Sequence, residues 1–139
     1  MFLLDTNVLS DIMRAEPTPL VSAWVARQAV DHLWTASVCQ AEILAGIAVL
    51  PVGRRRFGLE AAAQAMFQQD LEGRVLPFDS DAAQTYGGVF AACRRTGRTV
   101  GMADLLIASI ALSRGATVVS RNVSDFRACG IDVIDPWNA

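Results

Sequence analysis

The chain has 139 residues, which indicates a single domain that can bury roughly 68% of its unfolded surface. Its composition is 53% hydrophobic and only 19% charged, which excludes a disordered chain. The formal net charge is −2, which excludes broad electrostatic adhesion to nucleic acid. All 12 basic residues are arginine, and without lysine a P-loop or a Schiff-base mechanism is impossible.

The cysteines and the first residues indicate a compartment. Cys39, Cys93 and Cys129 lie far apart with no Cys-x-x-Cys pair, a spacing that suits buried reduced thiols rather than a disulfide framework. Asp5 interrupts the first apolar run, and no basic region precedes it, which argues against a signal peptide or a membrane span. We therefore expect a cytoplasmic protein without membrane contact.

The chain opens with an apolar run, Phe2 to Leu4, that ends at Asp5. Such a run predicts a strand buried on both faces of a parallel sheet. Thr6 and Asn7 are good helix N-caps, and apolar residues follow at helical spacing, so the first helix is predicted to begin directly after the strand. Asp5 would then lie where open α/β sheets bind ligands. Taken alone, it is explained better as a residue that stabilises the turn.

Helices and strands alternate along the rest of the chain. Strands are predicted at 32–36, 74–78, 116–120 and 131–134. Helices are predicted around 21–29, from about Val38 to Leu50, through 60–72, at 81–96, at 102–114 and, as a short helix, at 124–130. A Ser37/Gln40 capping box is expected to open the helix that starts near Val38, and Asp79 or Ser80 is expected to cap the helix at 81–96. This alternation predicts a mostly parallel sheet with helices on both faces.

Two more carboxylates lie at the starts of predicted helices. Glu42 is about one turn into the third helix among residues that prefer burial, where a carboxylate needs a partner, but an edge glutamate facing water fits equally well. Asp104 lies in the first turn of a helix that is apolar nearly all round. A favourable interaction with the helix dipole would by itself explain an aspartate at that position. One cluster of Asp5, Glu42 and Asp104 explains the pattern better than three independent caps.

Such a cluster needs a cation, because crowded carboxylates repel one another. An all-oxygen ligand set suits Mg²⁺ or Mn²⁺ rather than zinc or copper. Asn122 or Asp125 could add an oxygen after the fourth strand, although Asn122 or Ser124 would cap the short helix at least as well. Ser120 and Thr6 could hold the carboxylates through their hydroxyl groups.

The chemistry that this ligand set supports is phosphodiester hydrolysis, in which magnesium orients the phosphate and activates a water. His32 is the only histidine and is expected at the surface, so histidine general-base chemistry is not predicted. Other α/β classes fit less well. A haloacid dehalogenase-type phosphatase needs aspartate where Asn7 stands, a receiver domain needs lysine, and a nicotinamide enzyme needs Gly-x-Gly-x-x-Gly after the first strand.

Four segments occur along the chain in the order LLDTNVLSD, SVCQAEILAG, MADLLIASIA and VVSRNVSDF, and the chain closes with IDPWNA. Together the four segments resemble the PIN-domain ribonucleases, specifically the VapC-type toxins of bacterial toxin–antitoxin pairs, and the closing segment is similar to the FitB-like branch. The resemblance runs end to end and implies one PIN-like domain over residues 1–139, a three-layer α/β/α fold with a mostly parallel central sheet. It implies a Mg²⁺-dependent endoribonuclease that hydrolyses RNA by metal-activated water. It further implies a homodimer and a small DNA-binding antitoxin as partner.

By motif position, the resemblance assigns the acidic triad to Asp5, Glu42 and Asp104. The metal would be held by Asp5 and Asp104, with Glu42, Asn122 and Asp125 as further candidate donors and Mn²⁺ as a substitute ion. The residues expected beside these ligands are Thr6, Asn7 and Ser120. Asn122 stands where many relatives have aspartate, so a catalytically weak or inactive PIN-like module that binds an antitoxin/DNA complex remains the alternative.

Arginine and tryptophan residues provide the last candidates. Arg121 is adjacent to the site and is a better candidate for an RNA phosphate contact than the run Arg54–Arg56. The run Arg54–Arg56 is expected to be a solvated helix start. Trp24, Trp34 and Trp137 are expected to pack in the core or in a dimer interface.

Overall fold

The computed structural model describes all 139 residues, Met1–Ala139, as an α/β/α fold around a five-stranded sheet. The strands are β1 (Phe2–Leu4), β2 (Leu33–Ala36), β3 (Val75–Leu76), β4 (Thr117–Val119) and β5 (Val133–Ile134). The helices are α1 (Thr6–Ile12), α2 (Pro19–Arg27), α3 (Ser37–Ala48), α4 (Arg54–Ala65), α5 (Ser80–Arg95), α6 (Met102–Arg114) and α7 (Val123–Ala128). A 3₁₀ turn at Val30–His32 precedes β2, and α4 continues as a π-helical segment, Met66–Asp70.

The strand order is β3-β2-β1-β4-β5, and every pairing is parallel. The apolar run of β1 occupies the centre, and Leu3 and Leu4 are buried as a strand covered on both faces requires. Because β1 pairs with β2 on one side and β4 on the other, the chain leaves the centre of the sheet in opposite directions. This arrangement places a crevice at the carboxyl ends of the central strands.

Several predicted boundaries shift in the structure. Asp5, rather than Thr6 or Asn7, caps α1, because its side chain accepts the Thr6 N–H. The helix α3 begins at Ser37 without a side-chain capping bond, so the predicted capping box with Gln40 is wrong.

The fourth helix and the third strand also differ from prediction. The helix α4 begins at Arg54, earlier than the expected start at 60, and an ion pair between Arg56 and Glu60 at 2.9 Å joins its first turns. Arg54 and Arg55 are exposed, as expected for a solvated helix start. Strand β3 ends at Leu76, because Pro77 has no N–H to donate to a neighbouring strand.

One core of 30 buried residues lies between the sheet and the helices. The helix α6 contributes Leu105, Ile107, Ala108, Ile110 and Ala111 to this core, which confirms its predicted central position. It ends at Gly115, whose φ of 64° is the left-handed conformation that glycine adopts without strain.

The cysteines and the tryptophans lie where the sequence predicted, with Trp34 and Trp137 partly buried against the core. All three cysteines are buried and free, and His32 is exposed. Trp24 is buried and packs edge-on against Phe2, with the two ring centres 5.1 Å apart. None of the seven helices combines the length and hydropathy needed to cross a bilayer.

Candidate active site

An open pocket of about 640 Å³ lies at the carboxyl ends of the central strands. It is lined by Asp5, Thr6, Asn7, Ser10, Asp11, Arg14, Glu42, Asp104, Arg121, Asn122 and Trp137. The three carboxylates of the predicted triad therefore converge on one space, although Asp5 follows β1, Glu42 lies in α3 and Asp104 lies in α6.

Asp5 is held at the base of the pocket by both of its oxygen atoms. Oδ1 accepts the Thr6 N–H at 2.8 Å, and Oδ2 accepts the hydroxyl of Ser120 at 2.6 Å. The Asn7 amide adds a longer bond to Oδ2 at 3.4 Å and a bond to Ser120 at 3.1 Å. Thr6, Asn7 and Ser120 thus occupy the supporting positions expected from the sequence.

Glu42 is exposed, so of the two environments that the sequence left open, the structure shows the one that faces water. Helix α3 buries only Cys39, Ile43 and Ile47, so the face that carries Glu42 opens to the pocket. The Thr6 hydroxyl donates to Glu42 Oε1 at 2.6 Å, which ties α3 to the start of α1.

Asp104 is contacted by the amide of Asn122, whose Nδ2 donates to Asp104 Oδ2 at 2.6 Å and to Asp125 Oδ2 at 2.9 Å. Asp125 does not line the pocket; its other oxygen accepts the guanidinium of Arg98. That contact holds the pKa of the Asp125 carboxyl below its usual range. Asn122 makes no side-chain capping bond to α7.

Burial, together with neighbouring negative charge, raises the pKa values of two carboxyl groups in the pocket. Burial raises the pKa of the Asp5 carboxyl, the Ser120 and Thr6 hydrogen bonds oppose the rise, and the charge of Glu42 adds to it. Burial is also the main reason that the pKa of Asp104 is raised to about 6, and the charges of Asp5, Asp125 and Glu42 add to that shift. A cation in the pocket would favour the charged form of both aspartates.

The chemistry of the donor set fits a magnesium ion, because the pocket presents carboxylate, amide and hydroxyl oxygens and no nitrogen or sulfur ligand. No group of three or more His, Cys, Asp or Glu side chains is arranged closely enough to hold an ion as the side chains stand. Each carboxylate instead accepts a hydrogen bond from a neighbouring side chain: Glu42 from Thr6, Asp5 from Ser120 and Asp104 from Asn122.

Two arginines line this acidic pocket. Arg14 makes an ion pair at 3.4 Å with Asp11, a buried carboxylate that also accepts the backbone N–H and hydroxyl of Thr18. Arg121 is exposed, and its backbone N–H donates to Asn7 Oδ1 at 3.3 Å.

Sequence reasoning missed Ser10, Asp11, Arg14 and Trp137 as residues of the pocket. Trp137 packs against the core, as expected, and it also lines the pocket beside Arg121. A signal was present, because Trp137 follows β5 just as Asp5 follows β1, and the carboxyl ends of parallel strands meet at one edge. No such signal was present for Asp11 and Arg14, because their spacing is that of an ordinary surface ion pair on a helix.

The chain is similar to known proteins over nearly its whole length. The pattern of the PIN domain matches residues 2–130. The VapC ribonuclease Y4jK of Sinorhizobium fredii is 39% identical over 137 residues, which are 99% of this chain and 98% of that protein. The toxin FitB of Neisseria gonorrhoeae is 30% identical over 138 residues, 99% of each chain. A solved structure of FitAB bound to an IR36 DNA fragment matches with a TM-score of 0.88 and 31% identity, covering 99% of this chain and 96% of that chain.

The fold is that of a PIN domain, and the chain belongs to the PIN-domain family. Within that family it falls among the VapC- and FitB-type toxins of toxin–antitoxin systems. This confirms the resemblance seen in the four sequence segments.

Proposed function

We propose that this protein is a Mg²⁺-dependent endoribonuclease toxin that acts in the cytoplasm. The observation that carries the proposal is the convergence of Asp5, Glu42 and Asp104 on one open pocket, in a chain similar end to end to a protein named VapC ribonuclease. The pocket is wide and polar, which suits a phosphodiester backbone better than an apolar ligand.

Asp5 and Asp104 are the residues that would hold the ion, with Glu42 and the carbonyl oxygen of Asn122 as further donors. Bound Mg²⁺, or Mn²⁺ in its place, would lower the pKa of an attacking water and stabilise the oxyanions of an in-line displacement. Asp125 lies outside the pocket and acts through its hydrogen bond with Asn122.

The side chains around the ligands supply orientation and a proton acceptor. Ser120 and the Thr6 N–H fix the plane of the Asp5 carboxylate. Glu42 is oriented through Oε1 by the Thr6 hydroxyl, and its Oε2 has no hydrogen-bond partner. An exposed carboxylate oxygen at the pocket is suited to accept the proton of a water that attacks phosphorus. Arg121 is the candidate contact for an RNA phosphate.

The partners that we propose are a small DNA-binding antitoxin, a second copy of this chain and an RNA substrate. An acidic pocket favours an antitoxin that reaches it with an arginine or lysine, whose charge would replace that of the ion. The similar solved structure is of FitAB bound to DNA, which supports an antitoxin partner.

The test is cleavage of labelled RNA by the purified protein with Mg²⁺ and with EDTA, with Asp5→Asn as the control for contaminating nuclease. We expect cleavage by the wild type in Mg²⁺ alone. A folded wild type that cuts no RNA in pools of tRNA, rRNA and mRNA, yet binds its antitoxin, would support the alternative of a PIN-like binding module.

A further inference from the structure

The guanidinium of Arg121 lies on the face of the Trp137 indole at the rim of the acidic pocket. Its central carbon is 4.0 Å from the ring centre, a distance at which a cation is attracted by the electron-rich ring. Arg121 follows β4 and Trp137 follows β5, and these strands are neighbours in the sheet. The topology therefore brings two residues together that are distant in sequence.

Arg121 is the one arginine at this pocket that has no carboxylate partner. Arg14, the other, is paired with Asp11, whereas Arg121 makes no ion pair although Asp5, Glu42 and Asp104 line the same pocket. Its side chain makes no hydrogen bond. The N–H groups of its guanidinium are therefore available to an incoming anion.

Trp137 is held by its backbone and by packing, and its indole nitrogen makes no bond. Asp135 Oδ1 accepts the Trp137 backbone N–H at 2.9 Å, and Asp135 Oδ2 accepts the Asn138 amide at 2.6 Å, which fixes the turn after β5. The Trp137 Nε1–H is buried without an acceptor. A buried donor without a partner destabilises the fold, so the polar end of the indole gives no reason for tryptophan here. The ring packs against the core, and beyond that packing tryptophan offers the largest aromatic face for a cation.

We propose that Trp137 is a positioning residue for RNA binding, which holds Arg121 over the pocket so that the guanidinium binds a backbone phosphate of the RNA strand. This inference rests on the proposed function and adds a residue to it. A guanidinium that stacks on a ring keeps its N–H groups directed outward in its own plane, where a phosphate can accept two of them at once. Stacking also opposes the attraction that would draw Arg121 onto the carboxylates and neutralise it.

The test compares Trp137→Met, which keeps much of the side-chain volume without an aromatic face, with Trp137→Phe, which keeps a face and removes the unpaired N–H. Each is made in the wild type and in Arg121→Ala. The probe is a fluorescein-labelled, 2′-O-methylated single-stranded RNA of mixed sequence, and its dissociation constant is measured by anisotropy over a range of salt concentrations.

We expect Arg121→Ala and Trp137→Met each to weaken binding roughly 5- to 10-fold and to lower the salt slope by about 0.7, the value for one lost phosphate contact on a single strand. Trp137→Phe should keep the wild-type slope. In the Arg121→Ala background, Trp137→Met should cause no further loss. In cleavage assays Trp137→Met should raise KM more than it lowers kcat.

A purely structural role would give a different pattern. Trp137→Met would then lower the melting temperature, leave the salt slope unchanged and add its full effect to Arg121→Ala, and this result would overturn the inference. If Trp137→Met does not fold, Trp137→Leu replaces it with the same expectations. A wild type that neither cuts nor binds RNA would refute the proposed function, whereas a wild type that cuts RNA while the Trp137 variants bind like it would refute only the role of Trp137.

Discussion

The Ser120 hydroxyl donates a 2.6 Å hydrogen bond to Oδ2 of Asp5, across 115 positions of sequence. The other oxygen of Asp5 accepts the Thr6 N–H and caps α1. Asp5 therefore performs both roles that its place after β1 suggests, because capping and lining the pocket use different atoms. A turn-capping aspartate and a candidate metal ligand are one residue here.

Ser120→Ala should weaken Mg²⁺ binding and RNA cleavage by roughly 10- to 100-fold, the range for residues that orient a metal ligand. Ser120 is fully buried, and its hydroxyl also accepts bonds from Asn7 Nδ2 and the Asn122 N–H, so no other group can replace it. Its loss should also raise the pKa of Asp5 further. Calorimetric titration with Mg²⁺ and single-turnover cleavage measure these effects. Ser124→Ala, on the exposed side of α7, is the matched control, and equal effects of the two variants would contradict the assignment.

The carboxylates themselves should be indispensable. Asp5→Asn, Glu42→Gln and Asp104→Asn should each abolish Mg²⁺-dependent RNA cleavage, whereas Asn122→Ala should weaken it less, because a neutral amide contributes less to a cation than a carboxylate. Rates are compared under single-turnover conditions.

Glu60→Gln removes an exposed carboxylate of α4 and serves as the control for this series. Wild-type turnover by any of the three triad variants, with contaminating nuclease excluded, would remove that residue from the mechanism.

The parts of this structure that could be predicted depend on local pattern. The apolar run before Asp5 and the Gly115 stop after α6 fix their elements through neighbouring residues alone, and both boundaries match. The capping box at Ser37 failed although its pattern is local. The strand conformation continues to Ala36, and Ser37 is already helical, so its side chain is not placed to cap.

The contacts of Ser120 and Thr6 with the carboxylates were expected from the sequence. The contacts of Asn122 and Arg98 were not, since they join segments that are distant along the chain. Nothing in the sequence near Asn122 shows that its amide lies between Asp104 and Asp125, or that Arg98 holds Asp125 outside the pocket. The sequence left open whether Glu42 is buried or faces water, because its exposure depends on how α3 packs.

Asp104→Asn should raise the melting temperature of the protein in EDTA and lessen the stabilisation that Mg²⁺ gives. Removing one of several crowded charges relieves repulsion in the metal-free fold, while the ion loses a donor. At a Mg²⁺ concentration about ten times its dissociation constant, linkage predicts roughly 1.4 kcal/mol of stabilisation for the wild type. This corresponds to a shift of roughly 3 to 8 °C in thermal melting. If Asp104 acted only on the helix dipole, the variant would melt lower in EDTA, and Mg²⁺ would affect neither protein.

Without metal, the stability of the wild type and the stability of Asp104→Asn should depend differently on pH. The pKa of Asp104 is about 6 in the fold against an ordinary 3.8, so the folded state binds this proton more tightly than the unfolded chain. The resulting stability is present below about pH 4 and is lost as the pH rises through about 6. In EDTA, wild type and Asp104→Asn should have similar stabilities near pH 3.5, and their free energies of unfolding should differ by roughly 1 to 2 kcal/mol above pH 7, allowing for partial solvent screening. A constant difference across this range would contradict the raised pKa.

Asn122→Asp should have the opposite signs to Asp104→Asn. An ionised aspartate cannot donate the two bonds that the Asn122 amide gives to Asp104 and Asp125, and it places a further negative charge between them. The metal-free protein should therefore melt at a lower temperature, whereas Mg²⁺ should stabilise this variant more than the wild type, because the ion gains a carboxylate donor. Asn122→Ala is the control that removes the same two bonds without adding charge, so the difference between the two variants isolates the electrostatic effect. Thermal melting at several Mg²⁺ concentrations, with EDTA as the zero point, measures both the change in metal-free stability and the stabilisation by Mg²⁺. If Asn122→Asp and Asn122→Ala lost the same stability in EDTA and recovered equally little with Mg²⁺, no cation would bind beside Asp104, and Asn122 would serve only to join α6 to α7.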